Sequence, residues 1–269
     1  MAHRNNPFIV ADASKLDLDD VEYVDVMLAG DQHIGDRCRD PAYMRFIREW
    51  VLAEPGRYLV LTGDLFNAAL VNSKSDTYLE TCTLDEAMGL ARGWLADLAP
   101  RIVAHVDGNH DRRVDRVVGI DPVAHASLEA GCRYDGAEAY VTLQVGRDRH
   151  YSGRKPYSYD LYVTHGVGGG RTAGGKINSL MRLREIVVAD IYAMGHQHDP
   201  AIKPARTRRW TTDHAHIESV PQLLIVTPGG MVRGGYAVEM AYPDTGSWGI
   251  PVVRLSGKRK AMEARLLVP

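Results

Sequence analysis

The chain has 269 residues, of which 45% are hydrophobic and 25% are charged. This composition is ordinary for a globular protein, and the length allows one large domain or two small ones. The formal net charge of -2 provides no global basic field, which argues against a protein that coats DNA. An enzyme with a local basic rim is compatible with this charge.

The cysteine content and the hydropathy pattern indicate a reduced protein without membrane contact. The three cysteines, Cys38, Cys82 and Cys132, are widely spaced and form no CxxC pair. Neither a disulfide framework nor a cysteine-based zinc site is therefore expected. The N-terminus lacks the apolar segment of a leader peptide, and no run reaches the roughly 18 consecutive apolar residues of a membrane span. We expect a cytoplasmic protein.

Apolar runs alternate with helical patterns in the first half of the chain. The polar, aperiodic residues 1–20 predict an irregular lead-in. Buried strands are predicted at 22–29, 57–62 and 101–106. Helices are predicted at 41–52, 81–98 and 121–130. Thr83 and Glu86 form a capping-box pattern near the start of the second helix.

Strand patterns dominate the second half of the chain. Strand pairs are predicted at 132–145, single strands at 157–163 and 190–194, and a helix at 177–189. Five further strands are predicted at 201–210, 220–227, 231–240, 250–255 and 261–268. No linker or internal repeat interrupts the sequence. We therefore predict one domain at 21–269, whose second half completes a second sheet.

Residue types that bind metals follow several of the predicted strands directly. Ligands of α/β sheets bind in the crevice outside the carboxyl ends of the strands, and Asp64 follows such an end. The set is Asp31, His33, Asp64, Asn109, His165, His196 and His198. Oxygen and nitrogen ligands without thiolates suit manganese, iron, zinc and similar ions. Asp64 is the best candidate to bridge two such ions.

Taken in order, these motifs resemble those of the calcineurin-like metallophosphoesterase superfamily. The motifs are Asp31-x-His33, Gly63-Asp64, Gly108-Asn109-His110-Asp111, His165 after Thr164, and Gly195-His196-x-His198. The resemblance extends over 22–198 and implies an α/β fold, a four-layer αββα sandwich of two mixed β-sheets flanked by helices. It assigns one metal to Asp31, His33 and His198, and another to Asn109, His165 and His196, with Asp64 as the bridge.

The resemblance also implies a reaction. His110, as an imidazolium, would contact the phosphate and protonate the leaving group after attack by a metal-activated hydroxide. Asp111 either orients His110 or serves as a turn residue. The implied cofactors are two divalent metal ions, with manganese ahead of iron, zinc, nickel, cobalt and magnesium.

The residues of the Gly-Asp and Gly-Asn-His motifs favour one class of substrate over others. Ser/Thr protein phosphatases of this superfamily carry Gly-Asp-x-Val-Asp-Arg-Gly and Gly-Asn-His-Glu, whereas this chain has Gly-Asp-Leu-Phe-Asn67 and Gly-Asn-His-Asp111. Gly-Asp-Leu-Phe resembles SbcD-type DNA nucleases, which often place an acid or a histidine where Asn67 stands. We predict a phosphodiesterase that acts on nucleic acid, with DNA as the partner. A phosphodiesterase or phosphatase for cyclic nucleotides or other small molecules is the alternative, and a catalytically silent scaffold is the second.

Local basic stretches agree with a polyanionic substrate. They lie at 112–113, 147–155, 203–209 next to Trp210, and 258–260. Solvated charged faces explain such runs equally well. The glycine-rich run 167–176 is not a P-loop, because Ile177 follows Lys176, and we expect a mobile loop beside His165. The candidate substrate contacts are Asn67, Arg112, Arg113, Arg171 and Lys176.

Overall fold

The computed structural model describes residues 9–12, 22–71, 73, 77–146, 156–168, 173–234, 238 and 249–268, with the backbone alone for 9–12 and 173. Two β-sheets pack face to face, and helices cover their outer faces. The predicted four-layer αββα sandwich is confirmed. None of the helices in these ranges is both long and apolar enough to span a bilayer.

Eleven strands form the two sheets of the described chain. In chain order they are β1 (Ile9–Asp12), β2 (Tyr23–Ala29), β3 (Arg57–Leu61), β4 (Ile102–His105), β5 (Glu138–Val145), β6 (Tyr157–Thr164), β7 (Ile191–Met194), β8 (Ala201–Trp210), β9 (Ile217–Val226), β10 (Ile250–Ser256) and β11 (Met262–Leu267). One sheet has the order β1-β5-β6-β7-β9-β8, and the other has the order β11-β10-β2-β3-β4. Both sheets are mixed.

The described ranges contain five α-helices. They are α1 (Pro41–Ala53), α2 (Leu84–Leu98), α3 (Asp111–Val118), α4 (Pro122–Ala130) and α5 (Ala173–Arg182). The predicted capping box of α2 is confirmed, since Thr83 and Glu86 bind each other's backbone amides. α1, α2 and α4 pack on the five-stranded sheet, and α5 packs on the six-stranded sheet.

Alternate side chains of a strand belong to different apolar layers of the sandwich. In β2, Val24, Val26 and Leu28 face the core between the sheets, whereas Met27 and Ala29 face the helices. Because successive side chains of a strand point to opposite faces, a strand buried on both faces is apolar at nearly every position. This pattern explains why the apolar runs of the sequence predicted the central strands.

The directions of the parallel strands determine which edge of the sandwich carries the candidate site. β2, β3 and β4 are parallel, as are β6, β7 and β9. The loops that follow their carboxyl ends therefore meet at one edge of the sandwich, where parallel sheets bind ligands.

Several local predictions are wrong. Residues 9–12, expected to be irregular, form β1, which pairs with β5. Residues 132–137, expected in a strand pair, precede the single strand β5, and α3 was not predicted. α5 begins at Ala173, inside the expected glycine-rich loop, and ends before a 3-10 turn at Leu183–Glu185. Packing of Leu180 in the outer core outweighs the weak helix propensity of the glycines. Of the predicted strand 231–240, residues 235–237, 239 and 240 lie outside the described residues.

Candidate metal centre

The candidate metal centre lies at the edge where the parallel strands of both sheets end. Its residues follow β2, β3, β4, β6 and β7. The structure brings together all seven predicted ligands, namely Asp31, His33, Asp64, Asn109, His165, His196 and His198. Asp31, His33, Asp64 and His165 are almost fully buried.

One group of ligand atoms comes from Asp31, His33 and His198. His198 Nε2 lies 3.0 Å from Asp31 Oδ1 and 3.1 Å from His33 Nε2. His33 Nε2 lies 3.9 Å from the same carboxylate oxygen. Two imidazole nitrogens and a carboxylate oxygen thus converge on one point, which is a geometry that a cation could occupy.

A second group centres on His165. His165 Nε2 lies 3.1 Å from Asn109 Oδ1 and 3.1 Å from Asp64 Oδ2. The ring of His196 packs edge-on against His165, with centroids 5.1 Å apart. Asp64, His165 and His196 form another set of atoms that could hold a metal ion.

Asp64 lies between the two groups. Its Oδ2 is 3.1 Å from His165 Nε2 on one side and 3.9 Å from His33 Nε2 on the other. His33, Asp64 and His110 form a third, overlapping set of potential ligands. Asp64 therefore belongs to two of the three groups of potential ligands.

Backbone conformation sets the ligands apart from the rest of the molecule. Five of the seven non-glycine residues with positive φ in the described chain are predicted ligands. They are Asp31, His33, Asp64, His196 and His198, with φ between 44° and 69°. The left-handed region is uncommon outside glycine, although Asp and His enter it more readily than most residues. Such strain concentrates at functional sites, where the surrounding fold imposes it.

Two glycines allow the loops to approach each other. Gly63 has a φ of 94°, and a Cβ there would lie 2.7 Å from the backbone of Asp107. A Cβ on Gly108 would lie 1.9 Å from Asp64 Oδ1. No other residue type fits at Gly108 without displacing the central carboxylate.

Hydrogen bonds from the outer ring nitrogens orient two of the histidines. His165 Nδ1 lies 2.8 Å from the Thr62 carbonyl oxygen, and His110 Nδ1 lies 2.9 Å from the Asn67 carbonyl oxygen. Because a carbonyl only accepts, each Nδ1 carries the proton and each Nε2 is directed into the centre. Carbonyl partners of this kind are typical of metal-binding histidines.

The charges of the centre are strongly coupled. Burial opposes the ionised form of Asp64, but the charge of His165 and its hydrogen bond hold the pKa of this carboxyl well below its usual value. Burial lowers the pKa of His165, yet the Asp64 carboxylate outweighs burial and raises that pKa to about 9. Burial lowers the pKa of His110 to about 4.

The donor set fits divalent cations. Two carboxylates, an amide oxygen and four imidazoles surround the centre without a thiolate. Buried carboxylates require compensating charge, and the atoms of each potential ligand group lie within 4.8 Å of one another. Nδ1 of the buried His33 ring has no hydrogen-bond partner among the described residues. The centre is therefore a cluster that can hold metal ions.

Asp111 does not contact the ring of His110. Its carboxylate accepts hydrogen bonds from the amides of Leu65, Phe66 and Gly108, at 3.2, 2.8 and 2.8 Å. It therefore joins the loops that follow β3 and β4, as a turn residue would. The expected contact that orients His110 comes from the Asn67 carbonyl instead.

The side chain of Asn67 is engaged within the protein. It is buried, and its Nδ2 donates to Glu80 Oε1 at 2.6 Å. A direct substrate contact by this side chain stays a prediction. The contribution of Asn67 to the centre is its backbone carbonyl.

The cationic residues predicted to contact the substrate have different partners within the protein. Arg113 reaches the Asn67 carbonyl at 3.4 Å and is close to His110, whose pKa it helps to lower. Arg112 Nε binds the Gly108 carbonyl and lies 3.4 Å from Asp107. Lys176 pairs with Asp199 at 2.7 Å, one residue beyond His198. Arg171 lies outside the described residues.

The sequence reasoning missed several residues that support the centre. Tyr43 of α1 is fully buried, and its hydroxyl lies 3.2 Å from the Gly30 carbonyl and 3.4 Å from the Pro228 carbonyl. Glu80 binds the loop that follows β3. Neither belongs to a motif, so only the apolar stripe of α1 pointed to Tyr43, and no signal pointed to Glu80.

Comparison with known proteins adds information on the fold. No protein-family model matches the chain, and no curated protein matches its sequence. GAP50, the anchor in the inner membrane complex of Plasmodium, is similar with a TM-score of 0.51 and 10% identity, over 91% of this chain and 84% of that chain.

Two further solved structures are similar at lower scores. The calcineurin-like phosphoesterase YfkN from Bacillus subtilis has a TM-score of 0.46 and 11% identity, over 91% of this chain and 90% of that chain. Vps29 complexed with zinc, from Entamoeba histolytica, has a TM-score of 0.40 and 12% identity, over 91% of this chain and 99% of that chain. At such identities a similarity concerns the fold and no further property.

Proposed function

We propose that this chain is a metal-dependent phosphoesterase that hydrolyses phosphodiester bonds. The observation that carries the proposal is the overlap of three potential ligand groups around Asp64 and His33. The order of the motifs along the chain, which resembles that of calcineurin-like metallophosphoesterases, supports the same function. A buried cluster of carboxylates and imidazoles at an open sheet edge suits phosphoryl chemistry.

Seven residues hold two divalent cations in this proposal. Asp31, His33 and His198 would hold one, Asn109, His165 and His196 would hold the other, and Asp64 would be shared. When bound, such ions neutralise phosphoryl oxygens and lower the pKa of a water molecule. Manganese is the first ion to test, because all the ligands are oxygen or nitrogen atoms.

His110 is proposed to transfer a proton to the leaving oxygen. Its Nε2 lies 4.0 Å from Asp64 Oδ2, on the inner side of the ring. Because burial lowers its pKa to about 4, the substrate-free ring is neutral at neutral pH, and the expected imidazolium is not its resting form. A phosphate anion beside Nε2 favours the protonated ring. The ring then donates that proton as the leaving group departs.

The proposed substrate is nucleic acid, and specifically DNA. Arg112 and Arg113 lie in the first turn of α3, directly after His110 and Asp111, so two cations lie beside the site. Cations next to a phosphoester site favour a polyanionic substrate.

Other basic segments give weaker support for a DNA substrate, because several of their side chains are paired with acidic residues. Lys258 pairs with Glu22, Lys260 pairs with Asp190, and Arg209 pairs with Glu218. The segment 147–155 lies outside the described residues.

Turnover of bis(p-nitrophenyl) phosphate with manganese tests the proposed activity. We expect the full chain to hydrolyse this diester and Asp64→Asn to lose hydrolysis while keeping its circular dichroism spectrum. Asp97→Asn, in an exposed ion pair with Arg48, is the matched control and keeps activity. A wild-type chain that binds manganese but turns over no phosphoester would be a binding scaffold, and the proposal would be wrong.

A comparison of substrates tests the proposed specificity. Single-stranded DNA, duplex DNA and cyclic nucleotides are compared at equal manganese concentration. We expect the highest kcat/KM on DNA and a steep loss with added salt on DNA alone, since phosphate contacts release counterions. A preference for cyclic nucleotides would favour the small-molecule alternative.

A further inference from the structure

A strap of chain at 77–83 lies across two loops of the metal centre. Thr81 donates to the Gly35 carbonyl from its amide and its hydroxyl, at 2.8 and 3.0 Å. Glu80 forms an isolated bridge with Asp36. The strap is thereby fixed to the loop that follows β2, which carries Asp31 and His33.

Glu80 also binds the loop that follows β3. Its Oε1 accepts hydrogen bonds from Asn67 Nδ2 at 2.6 Å and from the amide of Ala69 at 2.8 Å. Between these two donors lies Ala68, with a φ of 47°. Alanine has no side-chain bond to stabilise the left-handed conformation. The two bonds to Glu80 bracket this strained residue on both sides.

The bracketed peptide orients His110. The Asn67 carbonyl belongs to the peptide unit that joins Asn67 to Ala68, and it accepts the hydrogen bond from His110 Nδ1 at 2.9 Å. His33 packs edge-on against the same ring, with centroids 4.5 Å apart. A rotation of this peptide would remove the partner of Nδ1 while leaving the other ligands of the centre in place.

We propose that Glu80 is a positioning residue that acts on His110 through the Asn67 carbonyl. The inference rests on the proposed function insofar as it concerns turnover. The hydrogen bonds of the Glu80 carboxylate go to Asn67 and Ala69, and not to the ring or to the predicted ligands. Its carboxylate holds the peptide that fixes the tautomer and the direction of His110 Nε2.

Kinetic comparison of Glu80→Ala with Glu80→Gln tests the role in turnover. We expect Glu80→Ala to lower kcat on the diester roughly 10-fold to 100-fold, since small misplacements of a reacting group have effects of this size. KM and bound manganese should stay unchanged. Glu80→Gln should keep most of the activity, because an amide oxygen can accept the same two bonds. Loss of manganese in Glu80→Ala, or equal losses of kcat in both variants, would overturn the inference.

A double-mutant cycle separates positioning from general damage. If Glu80 acts through His110, Glu80→Ala should cause no further loss of kcat in a His110→Ala background. A multiplicative loss would overturn the inference. Ala68→Gly should restore part of the activity of Glu80→Ala, because glycine adopts the left-handed conformation without the bracket. If Glu80→Ala does not fold, Glu80→Asp, which is shorter by one methylene, replaces it in each comparison.

The ring of His110 gives a readout that does not depend on turnover. In nitrogen-15 spectra of the full chain, the wild-type ring should show a single tautomer with the proton on Nδ1. In Glu80→Ala this signal should shift towards a mixture of tautomers. An unchanged His110 signal would overturn the inference even if activity fell. A shifted signal in Glu80→Ala, combined with a wild-type chain that hydrolyses no phosphoester, would support the positioning and refute the proposed function.

Discussion

The hydroxyl groups of Thr62 and Thr227 lie 2.7 Å apart beneath the metal centre. Thr62 follows β3 in one sheet, and Thr227 follows β9 in the other. The Thr62 carbonyl also accepts the hydrogen bond from His165 Nδ1. The position of His165 relative to Asp64 therefore depends on a contact between the two sheets.

Removal of this hydroxyl pair should reduce stability. We expect Thr227→Val to lower the free energy of unfolding by about 1 kcal/mol, because the Thr62 hydroxyl loses a buried partner. Urea denaturation measures the change. Thr212→Val, at an exposed turn position, should stay within about 0.5 kcal/mol of the wild type. Equal effects of the two substitutions would show that the buried pair contributes nothing.

Manganese should stabilise the folded chain. The buried carboxylates of Asp31 and Asp64 gain a counter-charge when a cation binds. At a free ion concentration of 100 times Kd, one site raises the free energy of unfolding by about 2.7 kcal/mol. Thermal unfolding with and without a chelator measures the shift. Asp31→Asn should reduce the shift in Tm, and an equal shift in this variant would exclude Asp31 as a ligand.

Stability should fall in mildly acidic solution because of His105. Burial lowers the pKa of His105 in β4 to about 4, below its ordinary value of 6.5. The unfolded chain then binds more protons between these values, so the stabilisation present above pH 6.5 is lost as the pH falls through 4. A pKa shift of this size corresponds to a change of roughly 3 kcal/mol in the free energy of unfolding.

A variant at this position isolates the effect of His105. We expect His105→Gln to show a smaller loss of unfolding free energy than the wild type between pH 6.5 and 4.5. Denaturant titrations at a series of pH values give the difference. His125→Gln, at an exposed position of α4, is the control and should follow the wild-type curve. Parallel curves for wild type and His105→Gln would contradict the prediction.

The main effect of replacing Asp111 should be a loss of stability, not a direct effect on turnover. Asp111→Ala leaves the amides of Leu65, Phe66 and Gly108 without their acceptor. We expect a loss of about 3 kcal/mol or more in the free energy of unfolding, since three buried amides each lose their hydrogen-bond acceptor. Asp115→Ala, exposed in the same helix, should have little effect. A variant that is fully stable but slow in turnover would instead support a role in orienting His110.

The sequence predicted the central strands because their signals were local and repeated, whereas the αββα sandwich was what the resemblance to metallophosphoesterases implied. Each buried strand is a short apolar run, and each metal-binding residue type follows the end of such a run. Once the sheets form, those ends meet at one edge, as Asp31 and Asp64 do. The order of the motifs was therefore enough to name a set of side chains that lie together in the structure.

The contacts that support the centre could not be predicted in the same way. Glu80 lies in a polar segment without periodicity, and its partners Asn67 and Ala69 are 13 and 11 residues away in another loop. The start of α5 was missed because its glycines favour a loop, whereas packing of Leu180 favours a helix. Such features depend on tertiary contacts, which no pattern in the local sequence encodes.

The left-handed backbone of the five predicted ligands has an evolutionary consequence. Substitution of glycine for His33 or His196 would relax the local conformation and remove a buried titratable group at the same time. Descendants with such substitutions would therefore be expected to keep their fold. Selection for the proposed function, rather than for folding, would then retain these side chains.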